Sequence, residues 1–559
     1  MKNYLLICLF LCLASVGQAQ VYKITYHSIR GEQVIETNPV IVFADKNKTI
    51  ITRENILNDK FRQTAEQSIV DIASKVIYRK STFQNRKSIF SADSLAFDRN
   101  TLTDVEEHKI ILGRKAKKAT TSINSNAIAI YYTNELAISA SPNEVGMAKG
   151  LVLEFRRNGN SGFIAAKIEK IKNFPVGFDI PKKNEVLDIL TYRDQVWKSK
   201  FIQIPIFNQE KICFDPDNIK SDSILRFAAG TVILKKIKVP ELLDDSQAFI
   251  ELVEKSNGDA YDRTGSVFMI AADQAMTFYD GMKNGMSTLP KYDVGDGKDY
   301  LGMVRTTNFS PVLELMRFFT PFGVSHFNNR LTLKGKTWQD SVTYRQDISE
   351  FLGVMSGKEI YIGTYIGNYD KGGHIVSLEL TIHPGNSNYA NKTEALSLFN
   401  TTNVMEMGGQ TYPTLFGSDK GLEFDFELKE DVKNARLRYI TTGHGGWWNG
   451  DEFVPKVNSI YLNDQLKFQF TPWRVDCGSY RLYNPVSGNF DSGLSSSDLS
   501  RSNWCPGTIT YPNYIDLGDL KAGKHKMKVH IPQGPAEGDS QSFWNVSGAL
   551  LYDKKKIDD

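Results

Sequence analysis

Short runs of alternating apolar and polar residues recur along nearly the whole chain, and this pattern constrains its fold more than any other feature. Typical runs lie at 22–26, 151–155, 360–365 and 375–382. Glycine, asparagine and aspartate separate the runs, as turn residues separate the strands of antiparallel sheets. Two stretches that open on a proline, 181–190 and 240–255, are predicted to be helical instead. The sequence therefore predicts a mainly β protein with a few helices.

Two polar stretches divide the chain into regions. The segments 256–265 (SNGDAYDRTG) and 384–393 (PGNSNYANKT) interrupt the alternating pattern. Residues 20–255 are predicted to form a β-rich N-terminal accessory domain, in which 147–154 is similar to the namesake segment of the bacterial secreted GLPGLI family. Residues 262–390 and 391–555 are predicted to form two β-sandwiches in tandem. With 559 residues in total, each region is long enough to bury a core of its own.

The first 19 residues have the pattern of a secretory signal peptide. Lys2 precedes an apolar run at 5–14, and Gly17-Gln18-Ala19 forms a small-x-small cleavage site. Cleavage near Ala19 predicts a secreted or periplasmic protein. No later stretch is long and apolar enough to suggest a transmembrane segment.

Polar and aromatic residues are concentrated between positions 436 and 517. A glycine-rich turn in this stretch contains His444, Trp447 and Trp448, and Glu452 follows it before the next strand-like run. The segment 501–507 (RSNWCPG) comes towards the end of the stretch. Binding sites commonly lie where a chain reverses between strands, so we interpret this stretch as a functional site.

These residues resemble the peptide-N-glycosidase F family, whose members cleave the amide that joins an asparagine-linked glycan to its protein. The resemblance rests on a lone glutamate, Glu452, between a Gly/Trp-rich turn and a strand, and on the downstream Arg-x-x-Trp-Cys-Pro-Gly at 501–507. It implies two tandem eight-stranded antiparallel jelly-roll sandwiches, packed side by side with the site at their junction. It also implies a disulfide between Cys477 and Cys505, which leaves Cys213 as a buried thiol.

The resemblance places the principal catalytic acid in the first sandwich, at Asp299. The family has this aspartate at the end of an Asp-x-x-Asp pattern before a strand, and 296–301 reads DGKDYL. The family's downstream Arg-Phe-x-Thr-Pro recurs at 317–321. The residue types alone leave another interpretation open, because Asp-Gly pairs are common turn residues, and Asp293 with Asp296 could form a β-turn or a weak calcium loop.

Glu452 is implied to be the second acid of the centre. Its role would be to position substrate and water, while the guanidinium of Arg501 would hold it ionised. Without the resemblance, Glu452 would be interpreted as a solvated carboxylate, and Trp504 either as a flat surface for a sugar ring or as packing against the disulfide. The implied substrate-binding residues are Arg501, Trp504, Tyr365, Tyr300, His444 and Trp447.

Three positions depart from the family pattern. Gly363 stands where a third acid, associated with the core sugars, is expected, and Asp370 in the following loop is the candidate replacement. Tyr300 stands where an arginine usually follows the catalytic aspartate, and His444 where a tryptophan is more common. The missing acid at Gly363 predicts an altered preference for the glycan core, and the other departures indicate a divergent branch of the family.

Other chemistries have little support in the sequence. The histidines form no His-x-His or His-x-x-x-His pair, so neither a metal nor another cofactor is predicted. The net charge of +3 gives no electrostatic footprint for nucleic acid. We therefore expect a monomeric, metal-independent amidase that acts on N-glycosylated proteins or glycopeptides. The alternative is a non-catalytic glycan- or glycoprotein-binding surface protein on the same scaffold.

Overall fold

The computed structural model describes residues 20–61, 64–94, 100–217, 223–270, 273–323, 333–385, 393–405, 415–418, 420–446, 449–485 and 496–553. The signal peptide predicted at 1–19 and the site residue predicted at Trp447 lie outside these ranges. The chain forms two compact units, Met1–Lys200 and Phe201–Asp559. The boundary predicted at 256–265 lies inside the second unit, because the strands that precede it pair with strands that follow it.

The first unit is built on one twelve-stranded sheet, in agreement with the predicted β-rich N-terminal region. Its strands lie in the order β12-β6-β5-β4-β3-β2-β1-β11-β10-β9-β8-β7, and all neighbours are antiparallel except β12 and β6. The strands are β1 (Val21–Arg30), β2 (Gln33–Ala44), β3 (Lys48–Arg53), β4 (Ala65–Asp71), β5 (Val76–Thr82), β6 (Ser88–Asp93), β7 (Thr103–Ile111), β8 (Arg114–Ile123), β9 (Asn126–Thr133), β10 (Leu151–Arg157), β11 (Ser161–Ile171) and β12 (Val186–Leu187).

Helices in the described part of the first unit are short. They are α1 (Glu54–Leu57) and α2 (Ile189–Lys198). The helix predicted at 181–190 lies further along the chain, because Asp188 is the N-cap and accepts hydrogen bonds from the amides of Leu190 and Thr191, both at 3.0 Å. None of the helices among the described residues of either unit is long and apolar enough to cross a membrane.

The first half of the second unit is a β-sandwich. A four-stranded sheet, β13-β25-β16-β23, packs against a six-stranded sheet, β14-β15-β24-β17-β22-β31, around one apolar core. Its elements are β13 (Ile202–Ile212), β14 (Leu225–Phe227), β15 (Val232–Lys238), β16 (Gln247–Ser256), β17 (Thr264–Ile270), β18 (Met276–Thr277), α3 (Phe278–Asn284), β19 (Lys291–Tyr292), β20 (Tyr300–Leu301), β21 (Phe309–Ser310), β22 (Leu313–Phe319), β23 (Val342–Asp347), α4 (Leu352–Met355), β24 (Glu359–Ile366) and β25 (His374–His383). The helix predicted at 240–255 is wrong, because Ala248, Ile250 and Leu252 of β16 are buried at the two-residue period of a strand.

The second half of this unit is another β-sandwich, so two sandwiches follow one another along the chain as predicted. The first of them begins at β13, before the predicted residue 262, and its sheets have four and six strands instead of eight in total. Its sheets are β26-β34-β28-β32 and β27-β33-β29-β30, with a second apolar core between them. The strands are β26 (Thr393–Asn400), β27 (Leu422–Leu428), β28 (Val432–His444), β29 (Asn458–Leu462), β30 (Gln465–Phe470), β32 (Asn513–Leu520), β33 (Gly523–His530) and β34 (Phe543–Asp553). Strand β31 (Ile509–Thr510) belongs to the six-stranded sheet of the first sandwich. Short 3-10 helices occur in both units of the chain. They lie at Met147–Lys149, Lys183–Glu185, Ala228–Gly230, Met286–Thr288, Ser349–Phe351, Leu415–Gly417, Cys477–Tyr483 and Ser496–Asp498.

The two sandwiches are joined by a shared strand and by buried arginines. Strand β31 lies in sequence between β30 and β32 of the second sandwich but pairs with β22 of the first. Arg317 on β22 is fully buried, is held by Glu314 at 2.7 Å, and donates to the carbonyl of Asn545 in the second sandwich. In the opposite direction, Arg438 on β28 donates to the carbonyls of Glu314 and Leu315 at 2.9 and 2.8 Å. These bonds fix the sandwiches side by side.

Candidate active site

A cleft lies where strand ends of the two sandwiches meet. In the first sandwich, β17 and β24 are antiparallel neighbours, so the start of β17 lies beside the end of β24. In the second sandwich, the end of β28 lies beside the start of β34 for the same reason. The loops at these ends face one another across the cleft. The lining residues are Tyr261, Asp262, Arg263, Thr264, Gly367, Tyr369, His444, Gly445, Glu452, Trp504, Asp539, Ser540, Gln541 and Phe543.

One arginine at the base of this cleft interacts with two carboxylates. Nη1 of Arg501 donates to Oε1 of Glu452 and lies 3.6 Å from Oδ2 of Asp262. The side chain of Arg501 is 2% exposed, whereas those of Asp262 and Glu452 are 15% and 19% exposed. The carboxylates therefore reach the cleft from opposite sandwiches, with the cation behind them.

A tight glycine turn places Glu452 in this position. Gly445 and Gly446 follow β28 with φ angles of +72° and +71°, which residues with a side chain adopt at a cost. A Cβ on Gly445 would also lie 2.1 Å from the carbonyl oxygen of Gln541. The Gly445 amide lies 3.4 Å from Oε2 of Glu452, and the Glu452 carbonyl accepts from the Ser502 amide at 3.0 Å. The glycine-rich turn seen in the sequence is thus the support of the glutamate.

Burial controls the charge of the acids. It raises the pKa of Asp262 to about 7, with Arg501 acting in the opposite direction and Glu452 adding to the rise. Burial also raises the pKa of Glu452, against the effect of Arg501. For His444, burial and then the nearby Arg317 and Arg501 hold the pKa well below its usual value, so this imidazole is neutral. The charge of Asp262 therefore changes near neutral pH.

Two exposed tyrosines flank the cation next to Asp262. The guanidinium of Arg263 lies 4.9 Å from the ring centre of Tyr261 and 5.4 Å from that of Tyr369. The tyrosines are 49% and 52% exposed. Exposed aromatic faces next to charged donors suit a ligand with apolar faces and polar edges, such as a sugar.

Comparison with known proteins identifies the family. The protein-family model "Peptide-N-glycosidase F, N terminal" matches residues 203–382, and the family model "Peptide-N-glycosidase F, C terminal" matches residues 411–551. The model "N-glycanase peptide, N-terminal domain" matches residues 24–194. A solved structure of PNGF-II is 50% identical, with a TM-score of 0.83 over 97% of this chain and 99% of that chain. The chain belongs to the peptide-N-glycosidase F family.

Two further solved structures were matched. A second structure of PNGF-II, in another space group, is 50% identical, with a TM-score of 0.84 over 96% of this chain and 99% of that chain. PNGase F, described as a glycosylasparaginase from Flavobacterium meningosepticum, is 14% identical, with a TM-score of 0.42 over 64% of this chain and 96% of that chain. A search of curated proteins found no match. Because an N-glycanase model covers the first unit, the GLPGLI similarity is not needed to explain that region.

Several residues predicted from the peptide-N-glycosidase F resemblance come together in the cleft. They are Glu452, Arg501, His444 and Trp504. Trp504 is only 3% exposed, because its ring stacks on Phe319 at 4.4 Å and its indole nitrogen donates to a backbone carbonyl at 2.9 Å. Trp504 is therefore largely buried, and the ring on which it stacks is that of Phe319.

The predicted disulfide between Cys477 and Cys505 is present, and Cys213 is a buried cysteine outside this bridge. Replacing both bridged cysteines with alanine is expected to lower the free energy of unfolding by about 3–4 kcal/mol, because the bond closes a loop between residues 28 apart. Urea denaturation measures this loss. Cys213→Ala is the control and should cost about 1 kcal/mol. Equal losses in the two variants would contradict a special role for the bridge.

Asp299, by contrast, is not brought to Glu452. It is 61% exposed and pairs with Lys291 at 2.7 Å, in the loop between β19 and β20, and it is not among the described residues that line the cleft. In the same loop, Asp293 and Asp296 accept bonds from amides two residues further on, at 2.7 and 3.0 Å. The alternative interpretation as turn residues fits these bonds, and Asp262 replaces Asp299 as the candidate acid of the first sandwich.

The tyrosines predicted to contact sugar are also elsewhere. Tyr300 and Tyr365 are both 0% exposed. Tyr365 lies on β24, a central strand covered on both faces by apolar side chains. A Cβ on Gly363 of this strand would lie 2.5 Å from the ring of Phe268, so the position has no room for an acid. Asp370 accepts bonds from two amides of its own turn, at 2.6 and 3.0 Å, and does not appear in the cleft lining.

The sequence interpretation missed Tyr261, Asp262 and Arg263. These residues lie in the polar stretch 256–265, which was interpreted only as a domain boundary. A signal was present, because the peptide-N-glycosidase F pattern expects an arginine after its aspartate. Asp262-Arg263 meets that expectation directly before strand β17, whereas Asp299 is followed by a tyrosine.

Proposed function

We propose that this protein hydrolyses the amide between glycan and asparagine in N-glycoproteins, releasing the glycan as a glycosylamine and leaving aspartate. The supporting observation is the pair of carboxylates, Asp262 and Glu452, held by one buried arginine at the base of an open cleft. Amide hydrolysis requires an activated water, a donor to the carbonyl oxygen and a proton for the departing nitrogen. Groups for all three tasks are present among the lining residues.

Asp262 is proposed as the general base and acid. Its carboxylate takes a proton from water as the water oxygen bonds to the side-chain carbonyl carbon of the asparagine. The carbon–nitrogen bond then breaks, and the nitrogen leaves as the glycosylamine after it receives that proton from Asp262. A buried carboxyl with a pKa near 7 suits both proton transfers at neutral pH.

Arg263 and Glu452 are proposed to hold the amide. Nε and Nη2 of Arg263 bond to Asp259 at 2.7 and 3.1 Å, which leaves Nη1 to donate to the carbonyl oxygen as it gains charge. Glu452, whose Oε1 accepts from Arg501, would accept a further hydrogen bond from the amide or from a sugar hydroxyl. Tyr261 and Tyr369 take over the role of sugar-facing aromatics.

The proposal predicts a rise in activity through neutral pH. Burial raises the pKa of Asp262 from its ordinary value to about 7, so this group is protonated and unable to accept a proton below that pH. We expect kcat/KM for a neutral glycopeptide to rise about tenfold per pH unit below pH 7 and to level off above it. Initial rates between about pH 5 and 8.5 measure this. A profile that stays flat down to pH 5 would contradict Asp262 as the base.

The function itself is tested by the fate of the asparagine. A denatured glycoprotein is incubated with the protein in water enriched in the heavy oxygen isotope, and its peptides are analysed by mass spectrometry. We expect asparagine at the glycosylation site to become aspartate with one heavy oxygen. Retention of glycopeptide without this conversion would favour the non-catalytic binding protein instead.

We also propose that the protein is exported. The support is the signal pattern at 1–19 together with a substrate class, N-glycoproteins, that is found outside cells. Amino-terminal sequencing of the exported protein is expected to begin near Gln20. A chain that retains Lys2 would contradict cleavage.

A further inference from the structure

A chain of buried ionisable side chains runs from the sandwich core to the cleft. Glu254 on β16 and His374 at the start of β25 belong to neighbouring strands, and Nδ1 of His374 lies 2.8 Å from Oε1 of Glu254. On the other side of the ring, Nε2 lies 3.6 Å from Oδ2 of Asp259. Glu254 and His374 are 0% exposed and Asp259 is 2% exposed, so water does not screen their charges.

Charge balance favours a positively charged His374. Two buried carboxylates, Glu254 and Asp259, face one arginine, Arg263, and a neutral imidazole would leave one negative charge uncompensated. Oε2 of Glu254 makes no hydrogen bond to a described residue, which makes its bond to the ring more important. Tyr344 on β23 also interacts with Glu254, but its hydroxyl donates to a backbone carbonyl at 2.7 Å and supplies no charge.

The pKa of His374 agrees with this balance. Burial opposes protonation, but the nearby carboxylates of Asp259 and Glu254 outweigh it and raise the pKa of His374 to about 9. The stabilisation from this charge is therefore complete below about pH 6.5, the ordinary value, and is lost as the pH rises through about 9. The nearby His374 and the hydrogen bonds from Arg263 likewise outweigh burial and lower the pKa of Asp259 to about 2.

Asp259 connects the buried Glu254–His374 pair to the cleft. Its carboxylate accepts from Nε and Nη2 of Arg263 at 2.7 and 3.1 Å and from the amide of Tyr261 at 3.1 Å. One carboxylate thus fixes the residue before Asp262 and the residue after it. The exposed part of the Arg263 guanidinium then lies in the cleft between Tyr261 and Tyr369.

We propose that His374 is a positioning residue of the cleft. As an imidazolium between Glu254 and Asp259, it fixes the Asp259 carboxylate, and through it the guanidinium of Arg263 and the backbone that bears Asp262. The kinetic consequence of this inference rests on the proposed amidase function, whereas its structural consequence does not.

Replacing His374 with glutamine removes the charge and keeps hydrogen-bonding capacity. We expect kcat of glycan release to fall about tenfold to a hundredfold with little change in KM, because a displaced Arg263 affects the reacting amide more than the remote glycan contacts. Wild-type activity should decline as the pH rises through about 9, and the variant should lack this decline. Asp259→Asn should give the same pattern. His383→Gln, at the other end of β25, is the matched control and should leave kcat unchanged.

Nitrogen NMR of the histidine rings tests the charge without any assay of activity. The signals of His374 are assigned by their loss in His374→Gln, or by their shift in Asp259→Asn if the first variant does not fold. Both ring nitrogens are expected to stay protonated up to about pH 9. A ring that is neutral at pH 7, or a His374→Gln variant with wild-type kcat and pH profile, would overturn the inference. If the wild type releases no glycan, the proposed function fails, and the NMR titration alone decides whether His374 is charged.

Discussion

Asp262→Asn is expected to lower kcat for glycan release by about 10²–10⁴-fold, whereas Asp299→Asn leaves it at the wild-type level. The two aspartates differ in their surroundings, since Asp262 faces Glu452 across the cation of Arg501 and Asp299 is an exposed partner of Lys291. Each substitution removes one acid and keeps its shape. Single-turnover release of glycan from a labelled glycopeptide measures the effect. If Asp299→Asn lowered kcat and Asp262→Asn did not, Asp299 and not Asp262 would be the catalytic acid.

The same Asp262→Asn variant provides its own folding control. The pKa of Asp262 is raised from its ordinary value to about 7, so the folded protein holds a proton that the unfolded chain releases near pH 4. Wild-type stability therefore falls as the pH rises from about 4 to about 7, and the asparagine variant lacks this fall. We expect the variant to be more stable than wild type at pH 8, by about 1–4 kcal/mol. A less stable variant would mean that its loss of activity reflects unfolding.

Arg501→Met is expected to lower the free energy of unfolding by about 3–5 kcal/mol and to abolish glycan release. The side chain is 2% exposed and is the cation shared by Glu452 and Asp262, so methionine leaves two carboxylates close together without compensation. Both acids would then bind protons more readily, and the loss of stability should be greater at pH 8 than at pH 5. Urea denaturation at the two pH values measures this difference.

A surface ion pair is the control for that measurement. Arg345 pairs with Glu251 at 2.9 Å on the first sandwich, and the two side chains are 46% and 38% exposed. Arg345→Met should cost at most about 1 kcal/mol at either pH. If Arg501→Met were equally mild, the carboxylates would not depend on this cation, and the proposed centre would need another source of positive charge.

The carboxyl-terminal half of the site could be predicted because its determinants are close together in sequence. Glu452 follows the glycine turn that supports it, and Arg501, Trp504 and Cys505 belong to one short motif. Local spacing fixes their geometry once the strands are in place. The disulfide and the pairing of Glu452 with Arg501 are therefore present in the structure as the resemblance implied.

The amino-terminal acid could not be placed in the same way. Asp299 lies in a loop where aspartates bond to nearby amides, and its spacing to the next strand imitates a catalytic pattern. Which acid reaches Glu452 depends on the pairing of β17 with β24 and on the contact between sandwiches, and these are long-range properties. Tyr365 shows the same difficulty, because only the position of β24 at the centre of its sheet reveals that both of its faces are covered.

Strand β31 also limits how genes for such enzymes can be recombined. It is encoded late in the sequence but completes the sheet edge at β22, and without it that edge would be open to pairing with another chain. A chimaera of two relatives joined between the sandwiches would inherit β22 from one parent and β31 from the other. The two sandwiches are therefore exchanged as one module, although their strand patterns resemble separate domains.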